Sequence, residues 1–137
     1  RRMNEGKRYI LAAEDDNDDQ LLMESAFSEL DAPYDLIFVE NGMELIAFLE
    51  NVSSLPELLI LDLNMPKMSG LEALDVLHGK PYFQTFKTVV FSTTYSEGEQ
   101  LRLQQRGVYS CFTKPLTYAS LMEITATFVQ LVAGPIN

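Results

Sequence analysis

Leu58-Leu59-Ile60-Leu61-Asp62-Leu63-Asn64-Met65-Pro66-Lys67-Met68-Ser69-Gly70 is the stretch that decides the fold. Four consecutive apolar residues lead straight into a carboxylate, and turn residues follow at Pro66 and Gly70. An unbroken apolar run of this length, bounded by turn signals, reads as a strand buried on both faces, as in parallel sheets. Asp62 then stands at the carboxyl end of a central strand, where open α/β sheets bind their ligands. Aspartate is seldom buried unless it is paired or holds a metal. Taken alone, Asp62 reads better as a strand-ending residue that caps a turn, so the partners brought by the other strand ends decide its role.

Working outward, the same grammar repeats. Tyr9-Ile10-Leu11-Ala12-Ala13 is a short apolar run ending in Glu14-Asp15-Asp16. A helical pattern follows from about Asp18 to Leu30, with Leu22, Met23, Ala26, Phe27 and Leu30 on one stripe and Asp16 or Asn17 as N-cap. Leu36–Val39 reads as a second strand. Asn41-Gly42 is a hairpin signal in isolation. Leu45, Ile46, Leu49 and Val52 beyond it keep helical spacing, which makes it a strand-to-helix turn. A third helix starts near Gly70 and ends at His78-Gly79. After a polar loop holding Pro81 come a strand over Thr88–Phe91 that ends at Ser92, a polar helix over Glu97–Arg106, a short strand over Val108–Thr113, and Lys114-Pro115. A last helix carries Leu121, Ile124, Thr125, Phe128 and Val132 on one face. Five strands alternating with five helices predict a doubly wound α/β domain with a parallel sheet. One domain is expected over residues 1–137, with its core over about 9–131.

Charge and composition exclude several function classes. The net charge of −10 is unsuited to binding nucleic acid, which rests on neutralising phosphates. No apolar run approaches the roughly 20 residues of a membrane span, and no signal-peptide pattern opens the chain. A single cysteine, Cys111, precludes an internal disulfide framework and fits a reducing, cytoplasmic setting. The charge is uneven: residues 1–76 hold 17 acids and 5 bases, while residues 77–137 hold 3 acids and 5 bases. One end of the fold is thereby marked as a cation site.

In a parallel sheet the strand ends share one edge. Glu14 and Asp15, Asp62, Ser92 and Lys114 thus converge. Carboxylates about 5 Å apart repel by roughly 3 kcal/mol at an effective dielectric near 20, so such a trio needs a cation. Hard oxygen ligands in small number suit Mg²⁺, and an aspartate beside that ion can act as nucleophile toward a phosphoryl group. Lysine and hydroxyl would hold the equatorial oxygens of the product. Asp16, Asp18 and Asp19 read as caps and helix-start charges rather than ligands. His78 reads as exposed and dipole-stabilising, and Met65 and Met68 as filler.

With these residues in hand, the chain resembles a response-regulator receiver domain of two-component signalling, of the chemotaxis-regulator type. The likeness runs from about Tyr9 to Leu131. It is carried by the acidic pair Glu14-Asp15, the Asp-x-Asn-Met-Pro-x-Met-x-Gly of residues 62–70, the Ser92 hydroxyl and Lys114-Pro115. Asp62 to Ser92 is 30 residues and Ser92 to Lys114 is 22, as in the family pattern. The resemblance implies a flavodoxin-like strand order 2-1-3-4-5 and a phosphoryl group passed to Asp62 from the phosphohistidine of a sensor histidine kinase or a phosphotransfer protein. It implies Mg²⁺ held directly by Asp15, Asp62 and the backbone carbonyl of Asn64, with Glu14 acting through water. Lys114 would pair with the phosphate, Ser92 would swing in to it, and Lys114–Pro115 would be cis. A downstream protein would bind the fourth helix, fifth strand and last helix, where Arg102 and Arg106 stand out.

The expected role is a stand-alone switch rather than an enzyme. The alternatives are a relay intermediate or phosphate sink, a degenerate receiver used only for binding, and an aspartate-nucleophile phosphatase of the haloacid-dehalogenase kind. That last family wants a second acid where this chain has Asn64. One departure from the receiver pattern stands out. Three residues before the lysine, where an aromatic is usual, the chain has Cys111. Tyr109, two residues earlier and on the same side by alternation, is at most a partial substitute, because it lies farther from the pocket.

Overall fold

The computed structural model describes residues 8–132; residues 1–7 and 133–137, the ends of the expected domain, lie outside the described residues. The strands are β1 (Tyr9–Ala13), β2 (Asp35–Val39), β3 (Leu58–Leu61), β4 (Lys87–Ser92) and β5 (Ser110–Thr113). The helices are α1 (Asn17–Glu29), α2 (Gly42–Asn51), α3 (Gly70–Leu77), α4 (Glu97–Gln105) and α5 (Tyr118–Val132). All strand pairs are parallel, in the order β2-β1-β3-β4-β5, which is the flavodoxin-like arrangement.

Period-two alternation divides the core between the two sheet faces. Leu11, Leu59, Leu61 and Val90 point to one side, where they meet Leu45 and Leu49 of α2, Ala73, Leu74 and Leu77 of α3, and Leu103 of α4. Ile10, Ala12, Leu58, Ile60, Val89 and Phe91 point to the other, against Met23, Ala26 and Phe27 of α1 and Leu121 and Phe128 of α5. Phe128 lies edge-on between Phe91 and Phe112, with ring centroids 5.4 and 5.1 Å away. β1 and β3 are therefore almost wholly apolar, and β4 is apolar over Val89–Phe91, because both of their faces are covered.

Several local expectations shift. Leu22 is 46% exposed and is not part of the α1 core stripe. The loop after α3 contains a 3₁₀ turn, Pro81–Thr85, which buries Phe83. Val108 is buried but lies outside β5, because its N–H returns to the Leu103 carbonyl at the end of α4. Among the described residues there is no cis peptide bond, so Lys114–Pro115 is trans, against expectation. Trans is the lower-energy isomer even before proline. Asn41-Gly42 is a strand-to-helix turn as read, with the Asn41 side chain capping α2. No helix of the described residues is long and apolar enough to cross a membrane.

Register fixes the site. Ala13 pairs with Leu61, Leu61 with Val90, and Ser92 with Thr113. The residues just beyond these pairs are Glu14, Asp62 and Lys114, which brings the three to one edge of the sheet.

Candidate phosphoryl-acceptor site

Asp62 is 5% exposed and engaged at both oxygens. Its Oδ1 accepts from Ser92 Oγ at 3.0 Å and from the Asn64 backbone N–H at 3.1 Å. Its Oδ2 accepts from Lys114 Nζ at 3.0 Å. The backbone holds it in place as well, since Asp62 N–H donates to the Ala13 carbonyl at 3.1 Å.

Gly70 explains the end of the opening stretch. A Cβ there would lie 2.4 Å from the Asp62 carbonyl oxygen, and the Gly70 N–H donates to Leu63 O at 3.0 Å. The loop can fold back against Asp62 only where the side chain is absent. Gly42 does the same for the neighbouring loop. Its N–H donates to Met68 O at 2.9 Å, where a Cβ would stand 2.6 Å from the same oxygen.

Lys114 is the charge centre. Its ammonium contacts Glu14 Oε1 at 2.7 Å, Asp19 Oδ2 at 2.7 Å and Asp62 Oδ2 at 3.0 Å. Burial alone would lower its pKa, but the hydrogen bonds it donates to Asp19, Glu14 and Asp62 outweigh burial and hold it above the ordinary lysine value. Glu14 is 2% exposed, and burial pushes its carboxyl up to about 7 although Lys114 and the Asp16 N–H pull the other way. Asp15 is exposed.

Carboxylate oxygens of Glu14, Asp15 and Asp62 lie within 4.8 Å of one another. An all-oxygen set this tight fits a hard divalent cation. The expected site residues are thus brought together: Glu14, Asp15, Asp62, Ser92 and Lys114 share one pocket edge, with Asn64 beside it through its Nδ2, 3.5 Å from Ser92 Oγ. Ser92 is fully buried and already turned toward Asp62, while Thr93 is exposed.

Asp16 caps α1 by accepting from Asp19 N–H at 2.9 Å, as its position suggests. His78 is the exposed C-cap of α3. Asp19 is the residue that sequence reading passed over. Placed in the first helical turn, its side chain leans back toward the helix N-terminus and so reaches Lys114. The cap at Asp16 was the available signal, since it fixes where Asp19 falls.

Tyr109 does not replace the missing aromatic. It is 56% exposed, under Lys87 Nζ at 5.1 Å from the ring centroid. Cys111 is half-buried against the α2–α4 side of the core. Tyr95 packs on that same cluster, with its hydroxyl 3.4 Å from Thr113 Oγ1.

Fold and site together define a receiver, and the chain belongs to the response regulator receiver domain family, whose model matches residues 10–126. Among curated proteins it is 27% identical over 122 residues to response regulator Rcp1 of Synechocystis sp., covering 85% of this chain and 83% of that one. Among solved structures it resembles the phosphorylated cyanobacterial phytochrome response regulator RcpA, with TM-score 0.85, 26% identity, and 96% and 97% of the two chains covered. A two-component response regulator from Legionella pneumophila matches with TM-score 0.77 at 25% identity, covering 90% and 98%. Receiver domains are signalling switches that work with histidine kinases or phosphotransfer proteins.

Proposed function

We propose that the chain is a response regulator in which Asp62 accepts a phosphoryl group from the phosphohistidine of a sensor kinase, in the cytoplasm. One Asp62 carboxylate oxygen attacks phosphorus as the phosphorus–nitrogen bond breaks. The electron pair stays on the imidazole nitrogen, which then takes up a proton. The observation that carries this reading is the three-way hold on Asp62 by Lys114, Ser92 and the Asn64 N–H. Both carboxylate oxygens are oriented, and a lysine ammonium and the Ser92 hydroxyl stand ready for the new phosphoryl oxygens.

Glu14, Asp15 and Asp62, with the Asn64 carbonyl, would hold Mg²⁺, which when bound neutralises charge on the transferring group. The chain's own residues do the rest. Lys114 balances the acyl phosphate, and Ser92 exchanges its bond to Asp62 Oδ1 for one to a phosphoryl oxygen. That exchange draws the loop between β4 and α4 inward and alters the face formed by α4, β5 and α5. Leu101, Arg102 and Tyr109 are exposed there. Arg106 is ion-paired with Asp75 of α3, so Arg102 is the basic residue we assign to a downstream partner, or to the next protein of a relay. The switch itself is the single receiver unit with its core over residues 9–131.

Acetyl phosphate with Mg²⁺ should add one phosphoryl mass to the chain, and Asp62→Asn should remove it. Label persisting in that variant would refute Asp62 as the acceptor.

A further inference from the structure

The N-terminal turns of α1, α2, α3 and α4 each carry an acid three residues after the cap, and in α2 that acid, Glu44, accepts from the Glu40 N–H just before the cap. In α3 and α4, Glu72 and Glu99 close capping boxes by accepting from the backbone N–H of Ser69 and Ser96, each at 2.9 Å. Asp19, at the matching position of α1, accepts instead from Lys114, 95 residues away. Helix α1 is capped on one side only, and the carboxylate that would complete its cap is turned into the site.

An ammonium has three N–H donors. Lys114 faces three carboxylates, Glu14, Asp19 and Asp62. Glu14 and Asp62 also belong to the carboxylate trio that fits a cation, whereas Asp19 does not. Of the three partners, Asp19 serves the lysine alone. Lys114 is largely enclosed, with its side chain 16% exposed, and Glu14 holds it at 2.7 Å from the strand side. Glu14 and Asp62 would thus still contact the ammonium if Asp19 let go.

We propose that Asp19 is a positioning residue that competes with the phosphoryl group for Lys114, and so weakens the chain's hold on that group. This rests on the receiver reading. An arriving phosphoryl group brings several acceptor oxygens to an ammonium whose donors are already taken. One bond must be given up, and Asp19, 35% exposed at its side chain, is the partner that water can most readily satisfy. Until it lets go, its negative charge also opposes the arriving anion.

The probe is beryllofluoride, a reversible phosphoryl mimic, titrated by NMR in the presence of Mg²⁺ into the wild type, Asp19→Asn and Asp18→Asn. Asp18 is exposed, one residue earlier on the same helix, and has the same charge. Asp19→Asn should bind beryllofluoride about fivefold more tightly, the scale set by one partly exposed ion pair. Asp18→Asn should bind like the wild type. Unchanged or weaker binding by Asp19→Asn overturns the proposal, because Asp19 is then an anchor or a bystander. An equal gain in Asp18→Asn overturns it too, because the effect is then one of overall charge. A wild type that binds no beryllofluoride and takes no label from acetyl phosphate overturns the receiver reading itself, and the proposal with it.

Discussion

Replacing Asp15 by Asn should stabilise the metal-free protein while abolishing its response to Mg²⁺. Asp15 has a carboxylate oxygen within 4.8 Å of oxygens of both Glu14 and Asp62. Lys114 contacts Glu14, Asp19 and Asp62 but has no bond to Asp15, so the repulsion on Asp15 is not offset directly. At this separation, and with the dielectric of water appropriate to an exposed group, each like-charge pair costs about 1 kcal/mol. Screening by salt and the partial protonation of Glu14, whose carboxyl burial pushes up to about 7, reduce the two pairs to a net of about 1 kcal/mol. For a chain of this size that corresponds to a rise in Tm of about 3–5 °C. Thermal melts followed by circular dichroism, in chelator and in millimolar Mg²⁺, measure both halves. In chelator the variant should melt above the wild type. In Mg²⁺ the wild type should gain stability by preferential binding to the folded state, and the variant should gain little. A lower metal-free Tm for Asp15→Asn, or a Mg²⁺ increment equal to that of the wild type, would refute the reasoning.

Three further outcomes follow from the geometry. Gly70→Ala places a methyl 2.4 Å from Asp62 O, where ordinary contact is 3.4–4 Å. The chemical-denaturation midpoint should fall by the equivalent of about 1–3 kcal/mol and phosphorylation by acetyl phosphate should slow, whereas an unperturbed midpoint would show that the loop yields freely. Arg102→Glu should weaken capture of the downstream partner, or self-association, measured by calorimetry or sedimentation, while leaving phosphorylation intact; unaltered binding would mean that the output face is elsewhere. Cys111→Tyr should enlarge the beryllofluoride-induced NMR shifts on α4 and β5, because the native thiol is too small to transmit loop movement by filling and leaving a cavity. If the wild type already switches fully and the variant adds nothing, Tyr95 on the neighbouring loop is sufficient.

The sheet was legible because its central strands are apolar without interruption. Leu58–Leu61 and Tyr9–Ala13 allow no solvent-facing side, so the parallel arrangement and the shared edge follow from pattern alone. The pocket was legible because its residues stand directly after those runs. What escaped was set by side-chain reach and not by chain position. Asp19 looks like any helix-start acid until the cap at Asp16 and the arrival of Lys114 from the far end of the chain turn it inward. Leu22 carries helical spacing yet faces water, since the α1 core stripe is closed by Met23, Ala26 and Phe27. Tyr109 satisfies strand alternation on paper, but its N–H joins Thr88 O just before the β5 ladder begins, and its ring lies under Lys87 instead.

The helices around the sheet are not equally held. Helix α3 buries Gly70, Ala73, Leu74 and Leu77, while α4 buries only Leu103. Just three residues, Thr93, Thr94 and Tyr95, separate Ser92 from Ser96, the cap where α4 starts. A short tether joined to a lightly moored rod behaves as a compliant lever. The tether is too brief to absorb a displacement of Ser92, and the rod has little packing to resist one. Packing is therefore lighter on α4 than on α3, and under the proposed switch a displacement of Ser92 at the sheet edge would reach α4 with less resistance than α3.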